Sequence, residues 1–323
     1  MVDPSVSTAV AGRPEPAEDH VPQGPPLEST QEHPAPSPGP APEESVSQVP
    51  VSAGYAVGDV HGCLDQLREA LRRAGFLDAT DQWLAGSTRL WFLGDLTDRG
   101  PDGIGVIELV MSLQRQAAEV GGEVGCLLGN HELMLLTAHL SSGRRLRLLD
   151  ADRAGDPHTL FRERWLGNGG KSADSLRINE THLAWIAQLP AMAMVGEHLL
   201  MHADALGYRE YGESIEEVNA AVGAVLADAH GLEELDRLTH VLTKRFAFAS
   251  DDGETAREFL RAFGGRQVVH GHSPVPLLLD IEPRAVTGPL VYAGGYAVNL
   301  DTGVFLGGPC LIAPLPSVPR VQP

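Results

Sequence analysis

The stretch RLWFLGDLTDRG, at residues 89–100, decides the fold. Its first five residues form a mainly apolar run of strand length. A glycine follows at once, and two acids and an arginine crowd into the next turn. Four more short apolar runs lead into residues that can bind a metal ion or a proton. These runs are Tyr55–Val57, Val124–Leu128, His198–Met201 and Gln267–His270.

Longer amphipathic stretches separate these predicted strands, and they have the period and length of helices. The predicted helices are about Leu64–Ala74, Ile104–Glu119, Glu132–Leu140, Glu180–Gln188, Ile215–His230 and Thr255–Ala262. Strands that alternate with helices predict an α/β fold. Residues 141–180 are polar and rich in glycine, and we expect them to form an inserted helical or loop region at the rim of the site.

Residues 1–50 differ in composition from the rest of the chain, since they hold 12 of its 24 prolines and no aromatic residue. Such a segment cannot bury enough apolar surface to offset the entropy that it would lose on ordering. We therefore predict a disordered, Pro-rich acidic tail at 1–50 and a folded domain at 51–323. The tail could dock a partner, and the alternatives are an inert linker or a start codon assigned too early.

The chain carries a net charge of −19, which repels nucleic acid and anionic membranes at long range. We expect neither as a partner, although bound cations can reverse the field locally and admit a small phosphate ester. The sequence shows no secretory signal and no apolar run as long as a membrane span, so a cytoplasmic location is the expectation. Three cysteines without a CxxC pair predict neither a disulfide framework nor a structural zinc site.

The residues that follow the five strands can converge on one pocket, because ligands in open α/β sheets gather at the carboxyl ends of the strands. A glycine directly before four of them allows tight turns and close backbone approach. Imidazoles, carboxylates and an amide, without a thiolate, suit Mn, Fe, Zn or Mg. The set exceeds what one ion needs, so it predicts two divalent ions about 4 Å apart with a bridging carboxylate. The expected ligands are Asp59, His61, Asp95, Asn130, His202 and His272.

Each motif has an ordinary structural interpretation when it stands alone. The charged turn at 94–100 can be a solvated loop, and Asn130 can be a helix N-cap with Glu132 in the first turn. His202 can be a core histidine with a satisfied ring. The joint occurrence of the motifs at five strand ends, in this order, favours the metal site.

In these blocks the sequence resembles the calcineurin-like metallophosphoesterase superfamily, over residues 53–315. The fragment Asp98-Arg99-Gly100 is similar to the PPP-type serine/threonine phosphatase branch, which also contains the symmetrical diadenosine tetraphosphate hydrolases. Residues 127–132 and 269–274 look closest to bacterial and Shewanella-like phosphatases, and residues 301–303 resemble the closing strand of that branch. The five matching motifs are Gly58-Asp59-Val60-His61-Gly62, Gly94-Asp95-Leu96-Thr97-Asp98-Arg99-Gly100, Gly129-Asn130-His131-Glu132, His202-Ala203 and Gly271-His272.

The resemblance implies a four-layer αββα sandwich with two mixed sheets, and it makes residues 51–323 a catalytic domain. It implies two divalent ions at one edge, with manganese expected and Fe, Zn or Mg as alternatives. His131 would be the general acid, Asp98 would orient it, and Arg99 would bind the phosphate. The first ion would be held by Asp59, His61 and Asp95, and the second by Asp95, Asn130, His202 and His272.

Two positions depart from the family pattern. Leu128 stands where many eukaryotic protein phosphatases carry an arginine, so one expected phosphate clamp is missing there. A further phosphate-binding arginine is expected between the fourth and fifth motifs, and Arg245 is the best candidate. The alternative for Arg245 is a solvated surface charge.

The sequence thus predicts a hydrolase that uses two metal ions and an activated water to cleave phosphate monoesters. The first expectation is a serine/threonine protein phosphatase. The alternatives are a diadenosine tetraphosphate hydrolase or a small-molecule phosphomonoesterase and, from another class, a non-catalytic metal-binding interaction module.

Overall fold

The computed structural model describes residues 54–141, 157–228 and 231–315. The predicted tail at 1–50, and the part of the predicted insertion between 142 and 156, lie outside these residues. Within the described residues there are two β-sheets, and helices lie in the connections between their strands.

The first sheet contains the strands of the first three motifs. Strands β1 (Gly54–Val57), β2 (Arg89–Phe92) and β3 (Glu123–Cys126) run parallel, and β9 (Ala313–Leu315) pairs antiparallel with β1. The order across the sheet is β3-β2-β1-β9. Because parallel strands end at the same edge, the loops after β1, β2 and β3 all begin there.

The second sheet contains the strands of the last two motifs, in the order β4-β5-β6-β8-β7. Strands β5, β6 and β8 run parallel, so their carboxyl ends also share one edge. The outer strands β4 and β7 are antiparallel to their neighbours. The strands are β4 (Met192–Val195), β5 (His198–Met201), β6 (Gln267–His270), β7 (Leu290–Tyr292) and β8 (Ala297–Asn299).

Side-chain caps start some of the helices, and apolar stripes bury others against the sheets. Asp102 caps α2 because its side chain accepts a hydrogen bond from Gly105 N, and Ser214 caps α7 in the same way. Helix α9 buries an apolar stripe that includes Phe259 and Phe263. The helices are α1 (Leu64–Arg73), α2 (Gly103–Glu119), α3 (Asn130–Ser141), α4 (Pro157–Gly167), α5 (Ser172–Arg177), α6 (Glu180–Ile186), α7 (Ile215–Ala227), α8 (Leu232–Leu242), α9 (Glu254–Phe263) and α10 (Val275–Leu279).

An apolar layer joins the two sheets face to face. Side chains alternate between the faces of a strand, so every second residue of a strand reaches this layer. Ala56 and Leu93 reach it from the first sheet, and Leu200 and Val269 from the second. A larger cluster of buried residues fills the outer faces beneath the helices. The two packed layers hold the carboxyl edges of both sheets in a fixed relation to each other.

The predicted α/β fold with two mixed sheets and flanking helices is confirmed. All five predicted strands form, and the six predicted helices end within three residues of their predicted bounds. Strands β4, β7, β8 and β9 and helices α8 and α10 were not predicted from the sequence. A helical or loop region was predicted at 141–180, where the structure has α4 and α5.

Helix α5 contacts the start of α2 through a buried acid. Asp174 is 1% exposed, and its Oδ1 accepts a hydrogen bond from Ile104 N at 3.3 Å. Its Oδ2 has no hydrogen-bond partner among the described residues. Burial raises the pKa of Asp174 to about 6, although the hydrogen bond from Ile104 opposes this shift.

We predict that Asp174→Asn stabilises the protein above pH 6. The pKa of an aspartate in an unfolded chain is about 3.9. The folded protein therefore holds this proton more tightly, and the contribution of Asp174 to stability is lost as the pH rises from about 4 through 6. Urea unfolding should show a more stable variant at pH 7.5 and no advantage at pH 4. An advantage that is the same at both pH values would contradict the prediction.

Candidate dinuclear metal centre

The structure brings the six predicted ligands to adjacent sheet edges. Asp59 and His61 follow β1, Asp95 follows β2, and Asn130 begins α3 after β3. The two remaining ligands, His202 and His272, follow β5 and β6 in the second sheet. All six residues are buried, with 0–9% of their surface exposed.

Asp95 lies at the centre of the cluster. Its Oδ2 is 3.6 Å from His61 Nε2 and 3.9 Å from His131 Nε2, and its Oδ1 is 3.3 Å from His202 Nε2. Two groups of possible metal ligands share this carboxylate, with their ligand atoms within 4.8 Å of one another. One group adds His61 and His131, and the other adds His202 and His272.

Asp59 and Asn130 complete the cluster from its two sides. Asp59 Oδ2 is 3.8 Å from His61 Nε2, and both carboxylate oxygens accept hydrogen bonds from His272 N, at 3.0 and 2.9 Å. Asn130 Oδ1 lies 3.0 Å from His202 Nε2. The loops of both sheets therefore interlock through direct contacts among the predicted ligands.

Three of the imidazoles have their tautomer fixed by a backbone carbonyl. A carbonyl oxygen can only accept, so His61 Nδ1 donates to Thr97 O at 3.0 Å, and His202 Nδ1 donates to Leu93 O at 2.8 Å. His272 uses the opposite nitrogen, because its Nε2 donates to Thr243 O at 2.9 Å. Its buried Nδ1 has no hydrogen-bond partner among the described residues. Each ring thus keeps a lone pair for a metal ion, as ligating histidines do.

The charges of the cluster also suit metal binding. Burial lowers the pKa of His61, His202 and His272, which favours the neutral form of these rings. Burial alone would raise the pKa of Asp95, but the neighbouring imidazoles, His202 foremost, outweigh it and lower that pKa. Neutral imidazole and ionised carboxylate are the forms that bind divalent ions.

The acids on the opposite side of the cluster repel one another. Burial, followed by the carboxylates of Asp301 and Asp95, raises the pKa of Asp59 well above its usual value. The positive charge of Arg99 opposes this rise in the pKa of Asp59, and the Arg99 Nη1 lies 2.6 Å from His61 Nε2. A cation therefore already sits among the carboxylates and imidazoles, and the residues present fit divalent ions by charge and by donor type.

His131 has different partners from the three other imidazoles. Its Nδ1 is 2.7 Å from Asp98 Oδ2, and its Nε2 is 3.0 Å from Arg99 Nη2. Burial alone would lower the pKa of His131, but Asp95 and Asp98 outweigh it and raise that pKa. A protonated imidazole held by a carboxylate can donate a proton.

The backbone of the site is strained at several of these residues. His61, Asp95, Asp98, Arg99 and His272 all have φ between 48° and 68°, in the left-handed region that side chains other than glycine rarely adopt. Such conformations cluster at functional sites and persist only where the surroundings hold them. The glycine before His272 is required for a related reason, because a Cβ at Gly271 would collide with Asp59 Oδ1.

Two residues that hold the site together were not predicted from the sequence motifs. Glu132 is fully buried and accepts hydrogen bonds from Asp95 N at 2.9 Å, Leu96 N at 2.9 Å and Thr97 N at 3.1 Å. Its place in the third motif was the only signal, and we interpreted it there as a first-turn acid. Trp165 Nε1 donates to Asp98 Oδ1 at 2.8 Å, and no motif in the sequence analysis points to it.

Arg245 lies beside the centre, where its Nη2 donates to His272 O at 3.0 Å. It contacts the backbone of a predicted ligand, while Arg99 contacts the rings of His61 and His131 directly. The phosphate-binding role of Arg245 stays a prediction.

The profile of the calcineurin-like phosphoesterase family matches residues 55–276. The chain belongs to this family. It is therefore a metal-dependent phosphoesterase, and the resemblance to the superfamily and to its PPP-type branch is confirmed. The hypothesis of a non-catalytic module is not supported.

Two curated relatives illustrate different kinds of enzyme. A symmetrical bis(5'-nucleosyl)-tetraphosphatase of Vibrio parahaemolyticus is 27% identical over 282 residues, which cover 79% of this chain and 92% of that protein. The Shewanella-like protein phosphatase 2 of Arabidopsis thaliana is 40% identical over 79 residues, which span only 24% of this chain and 20% of that relative.

The crystal structure of a cold-active protein-tyrosine phosphatase from a psychrophilic Shewanella species has a similar fold. It matches with a TM-score of 0.56 and 20% sequence identity over 82% of this chain and 77% of that one. This likeness supports the fold. Among the described residues, no helix has the length and apolar character needed to cross a membrane.

We predict that Glu132→Gln destabilises the metal-free protein by about 3 kcal/mol. The glutamine would turn an amide NH2 toward backbone N–H groups that now donate to a carboxylate oxygen, and a buried donor without an acceptor costs about 1–3 kcal/mol. Urea unfolding in the presence of a chelator measures the change. Glu234→Gln, at a side chain that is 57% exposed, is the control and should change stability by less than about 0.5 kcal/mol. Equal effects of the two substitutions would contradict the structural role of Glu132.

Proposed function

We propose that this protein hydrolyses phosphate monoesters, with phosphoserine and phosphothreonine residues of proteins as its substrates. The observation that carries the proposal is the division among the buried imidazoles. Three of them donate to backbone carbonyls and keep a lone pair for a metal ion, whereas His131 pairs with the carboxylate of Asp98. A site that combines metal ligands with a separate acid suits an ester whose leaving group needs a proton.

In this proposal Asp95 is the shared ligand of two divalent ions. When bound, the ions make a water nucleophilic at neutral pH and offset charge on the phosphoryl oxygens. The fixed tautomers of the imidazoles orient their lone pairs before any ion arrives. The remaining ligands are Asp59 and His61 for one ion, and Asn130, His202 and His272 for the other.

His131 donates the proton that the leaving alkoxide requires, because an alkoxide is a poor leaving group when it is not protonated. Asp98 holds the ring through Nδ1, which leaves Nε2 to face the substrate. The guanidinium of Arg99 reaches the same region and binds two phosphoryl oxygens through its planar fork. Arg245 contributes a second positive charge from the His272 side.

A second candidate function is the hydrolysis of diadenosine tetraphosphate. The alignment with the symmetrical tetraphosphatase covers 92% of that relative, whereas the alignment with the plant phosphatase covers 20% of its length. The same two ions and His131 would serve either reaction. Small-molecule phosphomonoesters are a further possibility for the same centre.

The finer expectations from the sequence belong to this proposal. Carboxylate, amide and imidazole ligands without thiolate suit Mn, Fe, Zn or Mg. We propose manganese, with Fe, Zn or Mg as alternatives. We propose a cytoplasmic location, a catalytic domain at 51–323 with an insertion at about 141–180, and a role for the 1–50 tail in docking a partner.

We predict that His131→Asn is selective in the activity that it removes. Loss of a general acid should lower kcat on an alkyl phosphate by about 10²- to 10⁴-fold. The loss on p-nitrophenyl phosphate should be at least tenfold smaller, because p-nitrophenolate leaves without much protonation. Steady-state kinetics with Mn²⁺, together with metal analysis of the purified variant, measure both effects.

Asp95→Asn is the matched contrast for His131→Asn. The shared carboxylate lies within 4 Å of three imidazoles, so this variant should lose metal and lose activity on both substrates. Equal losses on both substrates in His131→Asn would remove His131 from the acid role. Full metal content in Asp95→Asn would contradict the shared-ligand assignment.

We also predict that kcat/KM is at least about tenfold higher for a phosphoserine peptide than for diadenosine tetraphosphate. Phosphate release measures the first reaction. Chromatography of the nucleotide products must measure the second, because symmetrical cleavage gives two molecules of ADP and no free phosphate. The reverse order of kcat/KM would select the second candidate function.

A further inference from the structure

The segment 165–170, WLGNGG, touches the proposed acid machinery from a distant part of the chain. Trp165 is 1% exposed, although it lies in the polar region where we expected an insertion at the rim. Its indole Nε1 donates a hydrogen bond to Asp98 Oδ1 at 2.8 Å. The other oxygen of Asp98 is 2.7 Å from His131 Nδ1. Both oxygens of this carboxylate are therefore used, one by the indole and one by the imidazole.

The segment 165–170 also contacts Arg99, the residue after Asp98 in the charged turn. Gly169 O accepts a hydrogen bond from Arg99 N at 2.8 Å. Gly169 has φ of 101°, and a Cβ there would lie 2.7 Å from Arg99 Cγ, so no other residue fits without a shift. Gly170 N donates to Trp165 O at 2.9 Å and lies against the Trp165 ring, which fixes the segment on itself.

These contacts involve the two residues of the charged turn whose backbone is strained. Asp98 and Arg99 are consecutive residues with φ of 68° and 61°, and neither is a glycine. A left-handed pair of this kind costs free energy, so it persists only while neighbouring groups hold it. The segment 165–170 supplies a side-chain donor to Asp98 and a backbone acceptor to Arg99.

We infer that Trp165 is a positioning residue, whose indole N–H holds Asp98 in the orientation that aligns His131 for proton donation. The inference rests on the proposed function, in which His131 is the acid. It deepens that function, because it makes part of the predicted insertion a support of the reaction. A role in core packing alone would explain why Trp165 is buried. It would not require a hydrogen bond from Trp165 to Asp98, the carboxylate that holds the acid.

Trp165→Phe removes the N–H and keeps most of the apolar volume. We expect kcat on an alkyl phosphate to fall by roughly ten- to a hundredfold, since a small misplacement of a catalytic group has effects of this size. KM should change little. The loss on p-nitrophenyl phosphate should be several-fold smaller, because that leaving group depends little on the acid. Metal content should match that of the wild type, because the indole N–H donates to Asp98, which is not one of the proposed ligands.

Trp185→Phe is the matched control. The Trp185 Nε1 donates to Gln114 Oε1 at 2.7 Å, and Gln114 lies in α2, outside the charged turn at 94–100. This variant also loses an indole hydrogen bond, but it should leave both activities within about twofold of the wild type. Thermal unfolding of both variants measures how much of any loss comes from stability alone.

A double-mutant cycle with His131→Asn separates positioning from a general structural effect. If Trp165 acts through His131, adding Trp165→Phe to His131→Asn should cause no further loss on the alkyl phosphate. Additive losses, or equal losses of Trp165→Phe on both substrates while His131→Asn stays selective, would overturn the inference and leave the proposed function intact. If His131→Asn itself is not selective, the proposed acid role fails first.

Discussion

The site is organised around one buried carboxylate that contacts loops from both sheets. Asp95 lies within 4 Å of His61, His131 and His202, and its own backbone N–H is held by Glu132. A buried charge of this kind is unfavourable unless cations or hydrogen bonds compensate it. Asp95 has both kinds of neighbour, and the convergence of the five strand ends follows from the need to supply them.

Residues of one type acquire different roles here through the partner of their second nitrogen. A backbone carbonyl fixes the proton on His61, His202 and His272 and leaves a lone pair on the other nitrogen. A carboxylate instead favours the charged form of His131. The chemistry proposed for each ring thus depends on whether its second nitrogen contacts a neutral carbonyl oxygen or a negatively charged carboxylate oxygen.

Much of the fold was predictable because its central strands are apolar runs that end in motif residues. The strands that escaped prediction include β7, β8 and β9, which are three residues long and too short to show a period. The motifs also located the cluster of Asp59, Asp95 and the histidines. Sequence could not reveal which carbonyl each imidazole meets. Nor could it reveal that Trp165 reaches Asp98, since such contacts depend on tertiary packing across 67 residues.

The apolar layer between the sheets has a consequence for the metal centre itself. His61 follows a strand of one sheet and His202 follows a strand of the other, so the placement of these two histidines relative to each other depends on the separation between the sheets. Small and medium side chains such as Ala56 and Val269 set that separation. The interior of the sandwich therefore acts as a spacer between histidines that would hold the ions, although none of its apolar residues is itself a proposed ligand.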